Sequence, residues 1–234
     1  MSLRWFITAT DTDAGKTVAA CALLQACVKE GYRAVGYKPV ASGAYPTDGG
    51  LRNDDGVRLW QNASPRLRYE EVNPLLFKEA TSPHLAAELE EREIELGQLS
   101  SGLSRLASRY DAVVVEGAGG WFTPLNSREC LSDWVIQEGL GVILVVNMRL
   151  GCINHALLTQ QAVLGAGLPL AGWIANRTAP NPHQEAAYLE TLKQRLNAPM
   201  VGDIPYLAEP YQANLARFIR LDLLYPPGVL SNNR

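Results

Sequence analysis

The sequence is poor in the features that mark several large classes of protein. It has no basic excess: 21 Lys and Arg face 24 Asp and Glu, for a formal net charge of -3 over 234 residues. A nucleic-acid binder usually shows a basic face, so none is expected as a partner. It has no long apolar run. Runs such as "VILVV" at 142–146 fall far short of the ~20 residues of a membrane helix, and no membrane partner is expected. The opening "MSLRWFITAT" lacks the apolar core of a secretory signal. Its four cysteines, Cys21, Cys27, Cys130 and Cys152, are scattered with no C-x-x-C pair, as in buried thiols rather than disulfides or metal sites. The three histidines, His84, His155 and His183, show no ligand spacing. These absences describe a soluble, cytoplasmic chain. Its 47% hydrophobic content is enough for one sizeable core.

Short apolar runs alternate with helical patterns. "RWFITAT", "RAVGYKPV", "DAVVVEGAGG", "GVILVVN", "LAGWIANR" and "PMVGDIP" read as strands. "KTVAACALLQACVKEG", "INHALLTQQAVLGAG" and "NPHQEAAYLETLKQRLN" read as helices. Continuous apolar strands are buried on both faces. The alternation predicts an α/β fold: one mostly parallel central sheet with helices on both faces, a single P-loop-like domain over residues 1–224. Residues 41–53 and 73–83 read as turn-rich connections, and 225–234 as a frayed tail. In such sheets ligands gather at the carboxyl ends of the strands.

"TDAGKT" lies between a strand and a helix, where a phosphate loop belongs. Helix N-terminal amides carry partial positive charge and hold phosphate oxygens. Gly15 permits close backbone approach, Lys16 neutralises phosphate charge, and Thr17 offers a hydroxyl to Mg²⁺. The pattern G-x-x-x-x-G-K-[ST] asks for glycine at Thr10 and does not find it. Glu116, at the end of a buried strand, would face the same crevice. Asp54 and Asp55 read equally as a helix N-cap pair or as a source of a metal ligand. Lys38, at the end of "GYK", either faces the crevice, where a second lysine would stabilise a transferring phosphoryl group, or snorkels into solvent. Trp121 and Phe122 read as core or a loop anchor.

Taken together, "TDTDAGKT", "GYKPVASG", "LRNDD", "VNPLLF", "SPHLAA", "VVEGAGGWFTPL", "DWV" and "LGCINHALLT" resemble the dethiobiotin synthetases of the biotin pathway. The resemblance runs from about residue 3 to about 224, and "VEGAGGWFTPL" and "KPVASG" are its most specific blocks. The family's loop carries a glycine one residue earlier than the standard pattern, and Ala9 stands there in this chain. The resemblance implies an ATP-dependent ligase acting on 7,8-diaminopelargonic acid and CO2. A carbamate forms on one amine, ATP phosphorylates it, and the second amine closes a cyclic urea with loss of phosphate.

The resemblance also implies roles. Asp13, Ala14, Gly15, Lys16, Thr17 and Val18 hold the phosphates of ATP. Thr17, Asp55 and Glu116 hold Mg²⁺. Lys38 and Lys16 act on the transferring phosphoryl group, with Lys38 also on the carbamate. Thr12 and Ser42 meet the substrate, and Gly117, Ala118 and Gly119 line the site. Asn176 reads adenine, with Arg177, Pro205, Tyr206 and Leu207 bordering the base; a family acidic residue near the ribose falls at Gln212. A homodimer is implied, in which Gly151, Cys152, Ile153 and Asn154, at a helix start, anchor the substrate carboxylate across the interface. Two rival readings remain. Related cobyrinic and cobyric acid enzymes amidate other acids but carry further domains. Partitioning-type ATP switches use an additional lysine at the loop start, which "ATDTDAGKT" does not offer.

Overall fold

A computed structural model describes residues 2–180 and 184–224. His183 and the expected tail at 225–234 lie outside the described residues. In chain order the elements are β1 (Leu3–Ala9), α1 (Lys16–Lys29), β2 (Ala34–Tyr37), β3 (Val40–Ala41), β4 (Tyr45–Thr47), β5 (Gly50–Arg52), α2 (Asp54–Asn62), α3 (Tyr69–Val72) and β6 (Leu75–Leu76). There follow α4 (Pro83–Leu89), α5 (Leu96–Ala107), β7 (Ala112–Glu116), α6 (Leu131–Glu138), β8 (Gly141–Asn147), α7 (Cys152–Gly165), β9 (Leu170–Asn176), α8 (Glu185–Arg195) and β10 (Met200–Ile204).

Six strands form one parallel sheet in the order β10-β9-β8-β1-β7-β2. β2 and β7 are buried at every residue. Such strands need cover on both faces, and the helices between them supply it. Among the described residues no helix is long and apolar enough to cross a membrane. β1 lies centrally, between β7 and β8. The chain leaves β1 through α1 to β2 on one side, and later returns from β7 to β8 on the other. The loop after β1 therefore sits where the winding reverses, at the carboxyl edge of the sheet. Glu116 on β7 pairs in register with Ile7, and Asn176 on β9 with Asn147 and Ile204. Strand length and register thus deliver Glu116 and Asn176 to the same edge as the loop.

Two sequence readings are corrected. "RAVGYKPV" is not one strand: β2 ends at Tyr37 and β3 begins at Val40. Pro39 has no N–H for a ladder. Lys38 at the break instead donates its amide to Val72 O (2.7 Å) and receives Asn73 Nδ2 on its carbonyl (2.7 Å). The connection 41–53 holds a short antiparallel hairpin, β4 with β5. Its end, Asn53, is the N-cap of α2 and accepts from the amides of Asp55 and Gly56. The cap is thus Asn53, and Asp54 and Asp55 occupy the first helical turn.

α2 rests on β2 through a close contact. A methyl at Gly36 would lie 2.7 Å from Leu59 Cβ, and Leu59 is fully buried. The obstructing atom is next to the helix backbone, so α2 as a whole would have to shift, and α2 carries Asp55. Gly36→Ala is expected to destabilise the protein by ~1–3 kcal/mol, the usual cost of overpacking, and to displace Asp55. Urea denaturation reads the first effect; an unchanged midpoint would show that the interface has slack.

Candidate active site

The loop after β1 confines its unusual backbone to two residues. Asp13 (φ 58) and Gly15 (φ 88) are left-handed. Aspartate tolerates that region better than most residues. Gly15 is required twice over, because a Cβ there would also stand 2.1 Å from Asn176 Nδ2. Ala9, in the place of the family glycine, is the last residue of β1 and is buried. Its backbone is not left-handed, so its side chain belongs to the sheet and leaves the loop's turn undisturbed.

Thr17, Lys38, Asp55 and Glu116 converge at the N-terminus of α1. Lys38 Nζ donates to Asp55 Oδ2 (2.7 Å), Glu116 Oε1 (2.8 Å) and Gly117 O (3.1 Å). Thr17 Oγ1 lies 2.7 Å from Asp55 Oδ1 and 2.9 Å from Glu116 Oε1. One hydroxyl hydrogen serves one of these at a time. Lys38 is therefore an ammonium with all three hydrogens engaged and does not snorkel; its side chain is 4% exposed. Burial alone would lower its pKa, but Glu116 and Asp55 outweigh that and hold it above the ordinary lysine value. For Asp55, burial pulls upward and the Lys38 charge wins, so its carboxyl stays below the usual range. Glu116 is fully buried, and desolvation raises its pKa despite Lys38. Lys16, lowered by burial and by Lys38, rests on Asp11 O at 3.4 Å. Two lysines and two carboxylates make the centre neutral overall.

These groups line one cavity of about 380 Å³ with Thr12, Asp13, Gly15, Ser42, Ala118 and Gly119. Ser42 donates to Thr81 O (2.6 Å). The arrangement fits a hard divalent cation. Glu116 Oε2 is buried without a hydrogen-bond partner, and Thr17, Asp55 and Glu116 offer only oxygen. No group of three or more His, Cys, Asp or Glu that could hold a metal exists among the described residues. Two carboxylates and a hydroxyl fit the needs of Mg²⁺, which takes one or two carboxylates and keeps water or substrate oxygens.

A second cavity, about 440 Å³, is lined by Arg177, Ala179, Pro180, Glu185, Asp203, Pro205 and Tyr206. Arg177 pairs with Glu185 and Asp203 and donates to Ile204 O at 3.0 Å. Asn176 Nδ2 donates to Ala14 O (2.9 Å), so this amide braces the back of the phosphate loop and leaves its oxygen free to accept. Leu207 packs against the core and Val18 is half-buried; neither lines either of these two cavities. Gly117 contributes its carbonyl to Lys38, and a Cβ there would strike Phe6 at 2.7 Å.

The residues Gly151, Cys152, Ile153 and Asn154 do not reach either cavity. Gly151 is the left-handed N-cap of α7. The amide of Cys152 is not free, as expected from the sequence, but donates to Arg149 O (3.0 Å) because the chain tightens into a turn before the helix. The Ile153 and Asn154 amides remain as first-turn donors. An ion pair of Arg149 with Asp11 ties this segment to the phosphate loop. Trp121 is core, but Phe122 is 66% exposed. His84 meets Ser82 Oγ, and His155 is exposed. The sequence reading missed Asn53, Ala41 and Tyr211, which also line the first cavity. The capping preference of Asn53 was the available signal; nothing in the local pattern marks Tyr211.

An AAA domain family matches residues 4–212. Among solved structures, the ParA family ATPase from Chlorobium tepidum superimposes with a TM-score of 0.56 at 17% identity, covering 96% of this chain and 98% of that one. The septum site-determining protein MinD from Pyrococcus horikoshii, complexed with Mg-ADP, gives a TM-score of 0.52 at 15% identity, covering 95% and 89%. These likenesses show the fold alone. Sequence similarity reaches further. The ATP-dependent dethiobiotin synthetase BioD of Yersinia pestis bv. Antiqua is 57% identical over 209 residues, 89% of this chain and 87% of its own. BioD 1 of Escherichia coli K12 is 53% identical over 225 residues, 96% of this chain and all of its own. With its phosphate loop, paired lysines and paired carboxylates in one cavity, the chain belongs to the ATP-dependent dethiobiotin synthetase family.

Proposed function

We propose that this chain closes the urea ring of dethiobiotin from 7,8-diaminopelargonic acid, CO2 and ATP, with Mg²⁺ as cofactor. The observation that carries the reading is the buried cluster of Lys38 with Asp55, Glu116 and Thr17 beside Lys16, in a chain more than half identical to named synthetases. Thr17, Asp55 and Glu116 would hold Mg²⁺, which supplies charge neutralisation to the phosphates when bound. The loop amides of Asp13 to Val18 and Lys16 bind the triphosphate.

Thr12 and Ser42 sit on the wall where the amine end enters. CO2 adds to one amine, and the carbamate oxygen takes the γ-phosphoryl group, releasing ADP. Lys38 exchanges one carboxylate partner for an oxygen of the carbamate or the phosphoryl group and neutralises its growing charge. The second amine then attacks the carbamoyl carbon, phosphate leaves, and the ring closes. Asn176, through its side-chain oxygen, and the cavity of Arg177, Pro205 and Tyr206 would take the base, with Leu207 following in sequence. The protein acts in the cytoplasm.

A homodimer completes the site in this reading. Leu150 is 86% exposed and Leu158 59%, apolar surface beside the α7 start that a second copy would cover. Its Ile153 and Asn154 amides would receive the carboxylate of the partner's substrate.

Three experiments test these points. Mass spectrometry is expected to detect dethiobiotin when the purified protein receives all three substrates, and none when any one is omitted; phosphate release stimulated by a protein or DNA instead would favour a switch of the ParA or MinD kind. Because burial raises the pKa of Glu116, acidification protonates it at a higher pH than an ordinary glutamate, ~4.3. The Mg²⁺ concentration for half-maximal turnover should therefore climb before that pH is reached. Glu116→Gln should need more Mg²⁺ at every pH and lose this step; overlaid titrations would remove Glu116 from the metal site. Finally, Asn154→Asp and Lys38→Ala are each expected to be impaired, and to recover activity when mixed, since one hybrid site then has both wild-type halves. No recovery, with subunit exchange seen by native mass spectrometry, would place the anchor within one chain.

A further inference from the structure

Tyr211 is a side chain of the first cavity to which the mechanism above gives no role. It lies in a short 3-10 turn, Pro210–Gln212, and lines the cavity together with Lys16, Thr17, Asp55 and Glu116. Two independent contacts set its position. The guanidinium of Arg58 stacks 4.3 Å from the ring centroid. Arg58 follows Asp55 by three residues on α2, so the helical turn that presents the carboxylate also braces the ring. The segment just after the turn is strapped to α1: Gln25 Oε1 accepts from the amides of Leu215 (2.7 Å) and Ala216 (3.3 Å), while its Nε2 donates to Asn62 Oδ1 (2.8 Å) at the end of α2. α1, α2 and the strap are thus joined by one glutamine.

The hydroxyl of Tyr211 has no hydrogen-bond partner among the described residues, although the ring is 38% exposed and otherwise held. Burial raises its pKa, and Asp55 and Glu116 nearby raise it further. The group is therefore a neutral O–H donor at any working pH. Of the nearby carboxylates, Asp55 and Glu116 Oε1 are engaged by Lys38 and Thr17, and Glu116 Oε2 is buried on the side expected to meet the cation. A donor so placed is available to a ligand acceptor in the cavity. The acceptor-rich ligand of a phosphate loop is the polyphosphate, whereas the ammonium form of an amine substrate offers no acceptor and its carbamate is met by Lys38 in the mechanism above.

We propose that Tyr211 binds the nucleotide, its phenol donating a hydrogen bond to a phosphate oxygen, and that Arg58 is the residue that positions it. The proposal rests on the synthetase reading only in that a nucleoside triphosphate occupies the loop. Calorimetric titration with Mg·ADP and with a non-hydrolysable Mg·ATP analogue tests it on the full chain. Tyr211→Phe keeps the ring and its stack on Arg58 and deletes only the hydroxyl, so its melting temperature should match the wild type. Its affinity for both nucleotides should fall about 10-fold, the scale of a lost hydrogen bond to a charged group, with the KM for diaminopelargonate unchanged. Arg58→Gln should weaken nucleotide binding in the same direction and by less. Equal nucleotide affinity in wild type and Tyr211→Phe overturns the proposal while leaving the synthetase reading intact. A raised KM for diaminopelargonate with unchanged nucleotide affinity also overturns it, and assigns the hydroxyl to the carbamate of that substrate. A wild-type protein that binds no nucleotide would overturn both readings at once.

Discussion

A buried ammonium between two carboxylates organises this site. Isolated, each of the three groups would be costly to bury. Together they satisfy one another: Lys38 spends its three hydrogens on Asp55, Glu116 and Gly117 O, and Thr17 spans the two carboxylates. The partners come from four separate places in the chain: the start of α1, the break after β2, the first turn of α2 and the end of β7. The cluster can therefore form only when the sheet, the phosphate loop and α2 are all in place. Packing serves it too. Gly36 lets α2 settle on β2, and Gly15 lets the loop settle on Asn176. The centre is neutral before any ligand arrives, so charge brought by ligands is met by exchanging partners within it.

Much of this was legible in the sequence. Continuous apolar strands alternating with helices gave the parallel sheet, and the strand-loop-helix context of "TDAGKT" placed the phosphate loop although glycine is missing at Thr10. The reason the loss is harmless lies in three dimensions: β1 runs to Ala9, Thr10 N just beyond it still bonds Val145 O, and the left-handed residues come later. Glu116 and Lys38 were visible as polar ends of buried runs. What could not be read was their mutual contact, since the residues are 78 positions apart and nothing local sets that distance. The strand break at Lys38 was hidden because "GYKPV" reads as apolar and extended on either side of Pro39. The N-cap went to Asn53 rather than the aspartates because three adjacent residues, Asn53, Asp54 and Asp55, all favour that position. The hairpin decides which of them ends the extended chain. Tyr211 was invisible because a single aromatic in a polar turn carries no periodic signal, and its place depends on α1 and α2.

The fold likeness to ParA and MinD proteins marks where chemistry and fold part company. The sheet order and loop position supply a phosphate site at a switch point, which many activities can use. In this chain a second lysine is delivered by the break after β2 and held by both carboxylates. The fold provides the phosphate cradle, and the break at Lys38-Pro39 adds a cation that can act on a second reacting group beside it.

In the proposed reaction Lys38 passes from its carboxylates to the reacting oxygens. A crystal structure with Mg²⁺, a non-hydrolysable ATP analogue and diaminopelargonate carboxylated in the crystal tests this directly. Lys38 Nζ is expected within hydrogen-bond distance of a carbamate or γ-phosphate oxygen, having given up at least one of Asp55 and Glu116. A complex in which Lys38 keeps Asp55, Glu116 and Gly117 O, with no contact to either ligand, would contradict it.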